Sequence, residues 1–386
     1  MLINKYFLNY QGMNCICIVH NYTEETFAGM SFHLANYLAK NGFNVLFISH
    51  KPQFNNPVKI SDYSGFIHVY SWPYGTRPTG LRSFLWFSRL YIKYKPDKVI
   101  AHFVGSNIAA LVSKILSFWH ARTYVYYHTL STQNIIDSKN GTVKHRLLLL
   151  RKKIYYNLFC DNIICPSNLA GKDFNKLFEN KKGRLVNSKC RVILNPLVDR
   201  YIDGKSPGKE NTEKISISYL GRLDPSKGIN ILISAFIKYQ KGKQSKIILH
   251  FAGSGFLAEQ IMASAKGHPN IIFEGHKKYS EVDEYIKGSD FIIIPSLSDN
   301  LPTVGIESLM NGVPLLLSTK TGLAEYLTDG VEGYLFAPSE QEIMNVFERV
   351  EKNISSHFNL SKNARKTYCD KFTIDRYCAT MSKLLE

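Results

Sequence analysis

Short apolar runs alternate with stretches of helical spacing along the whole chain. Cys15–Val19 is apolar and brief, Met30–Lys40 has helical spacing, and Asn41-Gly42 ends that helix before a second strand-like run at Val45–Ser49. Lys98–His102, Thr123–Tyr127, Asn162–Cys165 and Arg191–Leu194 continue the series. This β-α alternation predicts a parallel, doubly wound sheet. The polar stretch DRYIDGKSPGKENTEK (199–214), with its Gly and Pro, reads as a linker.

The alternation then restarts. Ile215–Leu220, Lys246–Ala252, Ile271–Glu274, Asp290–Pro295 and Pro314–Ser318 read as strands, with helices at Ile229–Tyr239, Ser280–Lys287 and Ser308–Asn311. The pattern predicts two α/β domains in tandem, 1–199 and 200–369. A closing helix over 370–386 is long enough to pack back across the boundary. A length of 386 residues agrees with two domains.

Composition adds a charge asymmetry. The net charge is +17, and the first 200 residues carry 26 Lys and Arg against 9 Asp and Glu, so the whole excess sits there. A basic half seeks an anionic partner: nucleic acid, a phosphorylated substrate or an acidic membrane face. Seven scattered cysteines without a C-x-x-C pair read as reduced thiols, neither a disulfide frame nor a zinc site. No run suggests a signal peptide or a membrane span, so a cytoplasmic protein is expected. Met13 is read as a candidate start.

Three stretches carry candidate chemistry. In LSDNLPTVGIESLMNGVP (297–314), an apolar strand delivers the chain to Asp299 and Glu307, with seven residues between them, and Pro302 suits the start of a helix. Ligands bind beyond the carboxyl ends of parallel strands, and a helix N-terminus there favours a phosphate. A capped structural helix with a solvated Glu would give the same pattern. In YLGRLDPSKGIN (219–230), Arg222 and Lys227 share a tight loop after a strand. Two such cations could clamp a diphosphate, or simply be surface charges. FAGSGFLAEQI (251–261) is strand, Gly-x-Gly, helix, but Ala258 breaks a dinucleotide fingerprint.

Together these stretches resemble the retaining glycosyltransferases of family 4, whose GT-B architecture sets two Rossmann-like parallel-sheet domains around a central cleft. GRLDPSKG resembles that family's G-R-L-x-x-x-K-G loop, and PSLSDNLPTVGIESLMNGVPLL its P-S-x-x-E-x7-E segment. ICPSNLAGKDF and VILNPLVD resemble motifs before its linker, and ETFAGMSFHL stands where the family often has a loop with a double glycine. Asp replaces the first Glu at 299, and Asn-Leu-Pro replaces Gly-Phe-Gly, a variant found in surface-polysaccharide relatives.

The resemblance implies roles residue by residue. Arg222 and Lys227 would hold the donor diphosphate, Glu307 the ribose, and Asp299 would stand beside the transferred sugar. Amides of Leu301, Thr303 and Val304 would touch sugar and phosphate. His128 would sit near the reacting carbon, and Gly29 would let a first-domain loop approach the donor. Gly253 and Gly255 would keep the second wall open, and His276 and Lys277 would border the base. The implied activity is transfer from a nucleotide-diphosphate sugar, UDP preferred, to a glycan or polyprenyl-diphosphate-linked acceptor in O-antigen, capsule or lipopolysaccharide synthesis. No cofactor and no metal are expected, because fixed cations can replace Mg²⁺. A nucleotide-sugar epimerase or a basic nucleic-acid-binding protein are the competing readings; no recognised nucleic-acid motif accompanies the basic patches, so nucleic acid is not the expected partner.

Two basic stretches bear on location. RPTGLRSFLWFSRLYIKYK (77–95) reads either as a helix lying on an anionic membrane or as a core helix with a solvated basic face. For KHRLLLLRKKIYYNLF (144–159) the core-facing reading is expected. Docking of the basic half would place the protein peripherally at the inner face of the cell membrane.

Overall fold

A computed structural model of the chain describes residues 15–20, 25–50, 64–73, 75, 77–137, 142–178, 189–201, 214–242 and 244–386. Met13 and most of the expected linker lie outside the described residues.

The first lobe is built on strands β1 (Cys15–Val19), β2 (Asn44–Ser49), β3 (Ile67–Ser71), β4 (Lys98–Ala101), β5 (Arg122–Tyr126), β6 (Asn162–Cys165) and β7 (Cys190–Val192). Its helices are α1 (Glu25–Lys40), α2 (Leu81–Tyr94), α3 (Phe103–Leu116), α4 (Ser131–Asp137), α5 (Thr142–Phe159) and α6 (Asn168–Phe178). Every described pairing is parallel, in the order β3-β2-β1-β4-β5-β6-β7. β1, β2 and β4 are buried throughout, whereas the edge strands β3 and β7 are partly exposed. Central parallel strands are covered on both faces, which is why they read as unbroken apolar runs.

The second lobe repeats the plan with β8 (Ile215–Leu220), β9 (Ile247–Ala252), β10 (Ile271–Phe273), β11 (Phe291–Ile294), β12 (Leu315–Ser318) and β13 (Gly333–Phe336), in the order β10-β9-β8-β11-β12-β13. Its helices are α7 (Ile229–Gln240), α8 (Ala258–Gly267), α9 (Val282–Lys287), α10 (Thr303–Met310), α11 (Glu340–Lys352) and α12 (His357–Lys371). The closing helix, α13 (Ile374–Leu385), begins later than the sequence pattern suggests. Phe372 is fully buried in the second-lobe core, and Leu197 pairs with Thr373 in a short parallel bridge, so the chain turns there. From that turn α13 crosses to the first sheet, where Tyr377, Met381 and Leu385 join the core beneath β1 and β5. The Tyr126 and Tyr377 hydroxyls meet at 2.6 Å.

The expectation for 144–159 needs correction. In α5, Tyr156 is buried, but Leu147, Leu148, Leu150, Ile154 and Leu158 are all exposed. The leucine run is wider than the one stripe a helix can turn to the core. What faces outward is apolar as well as basic.

Candidate active site

Both sheets reverse direction of growth at their middle, between β1 and β4 and between β8 and β11. Such switch points open a crevice at the carboxyl edge, and the candidate residues collect there.

In the second lobe, β8 ends at Leu220 and runs into a short 3₁₀ turn, Pro225–Lys227. This loop is bound to the one after β9: the Leu223 amide donates to the Ser254 carbonyl at 2.9 Å, and the Leu257 amide to the Leu223 carbonyl at 2.9 Å. A Cβ on Gly253 would collide with the Gly221 carbonyl, and one on Gly255 with the Leu223 backbone. Both glycines thereby let the two loops touch.

Lys227 Nζ donates to Asp299 Oδ2 at 2.6 Å, with both side chains largely buried. The Arg222 guanidinium is more exposed and pairs with Asp224 at 2.6 Å. The expected clamp is therefore two ion pairs, because each cation lies against a carboxylate of its own lobe. α10 starts at Thr303 with Pro302 in the capping position, so Pro302 precedes the first helical turn. The Thr303 and Val304 amides belong to that turn, whose N–H groups lack intrahelical acceptors.

Glu307 sits one turn further and is 5% exposed. Its nearest cation is Arg200 at 3.8 Å, which also makes a forked pair with Asp283 (2.7 and 3.0 Å) and donates to Tyr279 Oη at 2.7 Å. Burial pushes the Glu307 carboxyl up to about 7; Arg200 opposes the rise and Asp283 adds to it. His276 is exposed, and Lys277 pairs with Glu274 at 2.7 Å.

Between the lobes lies a cavity of about 540 Å³. Gly29, His33, Phe103 and His128 line it from the first lobe, Arg200 from the connection, and Tyr279, Leu301, Thr303 and Ile306 from the second. The fold thus brings Gly29, His128, Leu301 and Thr303 to one cavity. Arg222, Lys227, Gly253, Gly255, His276, Lys277, Asp299, Val304 and Glu307 lie outside its lining. Gly29 is within α1 and not in a loop, because the run around it keeps helical hydrogen bonding; nothing lies within 4 Å of where its Cβ would stand.

His128 belongs to a stack that sequence reasoning missed. His20 follows β1 and His102 follows β4, and their rings lie 4.1 Å apart. Tyr126 stacks on His102 at 3.9 Å, and Phe103 on His128 at 4.2 Å. Ser31 Oγ links the ring nitrogens of His20 and His102. Burial pushes His20 and His128 down to about 3 and His102 well below its ordinary value, so all three are neutral at physiological pH. His128 Nε2 is buried without a hydrogen-bond partner. Phe103 holds a left-handed backbone (φ 65°), which is unusual for a bulky residue and recurs at functional sites. One signal was available in the sequence: His20 and His102 each stand directly behind an apolar strand.

Asn300 joins the lobes. Its Nδ2 donates to the carbonyls of His128 (2.9 Å) and Tyr127 (3.3 Å), and its Oδ1 accepts from Ser167 Oγ at 2.6 Å. Thr132 and Ser298 hydroxyls meet beside it at 2.5 Å. The Asn-Leu-Pro departure at 300–302 thus supplies a latch that seats the main chain of His128.

Two doubly wound parallel sheets facing each other across such a cavity define the GT-B class. HepE of Anabaena, crystallised with UDP, has the same fold (TM-score 0.70, 16% identity, 97% of this chain and 99% of that one). So does sucrose-phosphate synthase of Thermosynechococcus elongatus (TM-score 0.71, 16% identity, 96% and 98%). The model of Glycosyltransferase Family 4 matches residues 30–197, and that of Glycosyl transferases group 1 matches 203–367. The chain belongs to the glycosyltransferases these two models describe. It is 26% identical over 168 residues to the lipopolysaccharide 1,2-N-acetylglucosaminetransferase of Salmonella typhimurium, spanning 40% of this chain and 44% of that enzyme's length. It is 24% identical over 312 residues to the capsular polysaccharide biosynthesis glycosyltransferase CapM of Staphylococcus aureus, covering 76% and 77%.

Proposed function

We propose that the protein is a retaining glycosyltransferase that moves a sugar from a nucleotide-diphosphate sugar, UDP-linked by preference, to a lipid-linked glycan acceptor of a surface polysaccharide. The observation that carries this is the placing of the Lys227–Asp299 pair and the start of α10 at the carboxyl edge of the second sheet, with Thr303 of that helix lining the same cavity as neutral His128. The Salmonella and Staphylococcus relatives support the pathway class, and the UDP complex of HepE supports the donor.

As the sugar departs, negative charge grows on the bridging oxygen of the diphosphate. Lys227 exchanges Asp299 for a phosphate oxygen, and the α10 amides face the same charge. The helix amides are fixed before reaction and stabilise it with little reorganisation, whereas Lys227 has first to give up its pair with Asp299. Asp299, released, stands beside the sugar. Glu307 accepts hydrogen bonds from the ribose hydroxyls, which favours its ionised form against the burial that raises its pKa. His128, uncharged, offers one N–H to the sugar without drawing a second anion into the cavity. Lys227, Arg222 and the helix end do the work of a divalent cation, and the reaction is metal-independent. The basic first lobe rests on an anionic membrane face. Among the described residues no helix is long and apolar enough to cross a membrane.

Nucleotide release from a panel of UDP-, GDP- and ADP-sugars tests the reading. Lys227→Ala and Glu307→Ala should each lower turnover about 10²–10³-fold, and EDTA should leave the wild type unchanged. Unaltered release in either variant removes that residue from the site, and EDTA inactivation reversed by Mg²⁺ removes metal independence.

A further inference from the structure

A second cavity, of about 510 Å³, runs along the first lobe between α2, α3 and α5. That volume is in the range of ligand pockets, about 300–1,000 Å³. Its walls are largely apolar, with Leu81 and Phe84 from α2, Val104, Ile108 and Leu111 from α3, and Leu148 from α5, and Asn107 of α3 as a polar member. Leu81, Val104 and Leu148 are exposed along it, an apolar surface that water covers at a cost. Arg151 and Lys152 stand on its rim. None of the three helices contains an Asp or Glu; the carboxylate that acts on Lys152 is Asp173 of α6, so Arg151 and Lys152 leave the groove with an excess of positive charge.

Its position ties it to the cleft. Phe103 lines the interlobe cavity and Val104, the next residue, lines the groove. The first turn of α3 therefore separates the two. A molecule lying in the groove has one end within reach of the cleft mouth.

We propose that the α2–α3–α5 groove holds the hydrocarbon chain of a phosphate-headed membrane lipid, with Arg151 and Lys152 on its phosphate and its polar end directed past Phe103 into the cleft. The inference rests on the reading of the protein as a transferase with a lipid-linked acceptor, and names the subsite that takes the lipid. An apolar trough rimmed by cations matches an amphiphile that is hydrocarbon along its length and anionic at its head. A peptide helix would fit the trough, but the two rim cations would select only a strongly acidic one. The outward leucines of α5, beside the trough, face the bilayer from which such a chain is drawn.

The test uses the full chain with phosphatidylcholine vesicles doped with phosphatidic acid that carries a diazirine on its acyl chain. After irradiation, labelled peptides are mapped by mass spectrometry. Label is expected on the first turn of α2, the first two turns of α3 and around Leu148. Leu148→Glu, at an exposed position, should cut groove labelling at least about tenfold, with its melting temperature held near wild type, and Leu148→Met should restore it. The same diazirine on phosphatidylcholine alone should label several-fold less, in keeping with about 1 kcal/mol per cation near an anionic surface. Label confined to Leu85 and Ile92 outside the groove, or undiminished in Leu148→Glu, overturns the proposal, and equal labelling by the two headgroups overturns the role of Arg151 and Lys152. The readout needs no nucleotide sugar. Absent groove label in a protein that releases nucleotide defeats the groove alone; groove label in a protein without donor turnover defeats the transferase reading alone.

Discussion

At the residue scale, Glu307 is where burial and charge conflict. Its carboxyl is held near 7 in the fold against 4.5 as the ordinary value, so the folded state binds the extra proton between those two pH values. Stability from this group is full below about 4.5 and is lost as pH rises through about 7, by about 3 kcal/mol at most. Glu307→Gln keeps the shape and removes the charge. Denaturant unfolding at pH 5 and pH 8 should show the variant gaining on the wild type at the higher pH, while donor turnover falls. A gap between the two proteins that is the same at both pH values would mean that the carboxyl is not desolvated. His20 and His128 act in the opposite sense: their pKa values fall from 6.5 to about 3, so their contribution is present above 6.5 and lost as acid protonates them.

At the scale of elements, glycines fix how the second-lobe loops meet. Gly228 joins the 3₁₀ turn that carries Lys227 to α7 with φ of 72°, and a Cβ there would strike the Pro295 carbonyl. Gly228→Ala should cost at least about 1–2 kcal/mol from the left-handed backbone alone, with the collision adding to it. It should also move Lys227 away from Asp299, so urea midpoint and nucleotide release should fall together. Most element positions were legible because a central parallel strand is apolar on both faces and bounded by turns. β3 and β13 were not read from the sequence: His68 and Tyr70 interrupt the one, and the other begins at Gly333. An edge strand needs no continuous apolar run, and glycine gives no strand signal. The outward face of α5 was misread for a related reason. Its leucines fit a buried helix in sequence, and only the neighbours that α2 and α3 do not provide leave them exposed.

At the scale of the molecule, two devices stand out among those that join the lobes. Asn300 makes three hydrogen bonds across the gap, and α13 runs from the second lobe onto the first sheet. Asn300→Ala should cost about 1–3 kcal/mol, since buried partners are left unsatisfied. It should lower transfer without weakening binding of the free nucleotide diphosphate, because Arg222, Lys227 and Glu307, the residues proposed to hold it, all belong to the second lobe. Calorimetry and nucleotide titration on one preparation separate the two effects. Deleting 374–386 uncovers Tyr126 and the apolar floor of β1. The truncated chain should bind a hydrophobic dye and aggregate below the wild-type midpoint, checked by dye fluorescence and light scattering.

The alternation of short apolar runs with helical spacing determined two parallel α/β units, since burying both faces of a sheet leaves a periodic mark on the chain. The motif loops after β8 and β11 were equally local, and so were Lys227, Asp299 and Glu307 as candidates. Tertiary structure alone decided that Lys227 pairs with Asp299 and that Arg200 attends Glu307. It alone stacked three histidines from separate strands, turned Asn300 into the latch, and set the groove beside the cleft. Each of these joins residues tens to hundreds of positions apart, and their proximity comes from the packing of layers, which no local periodicity encodes.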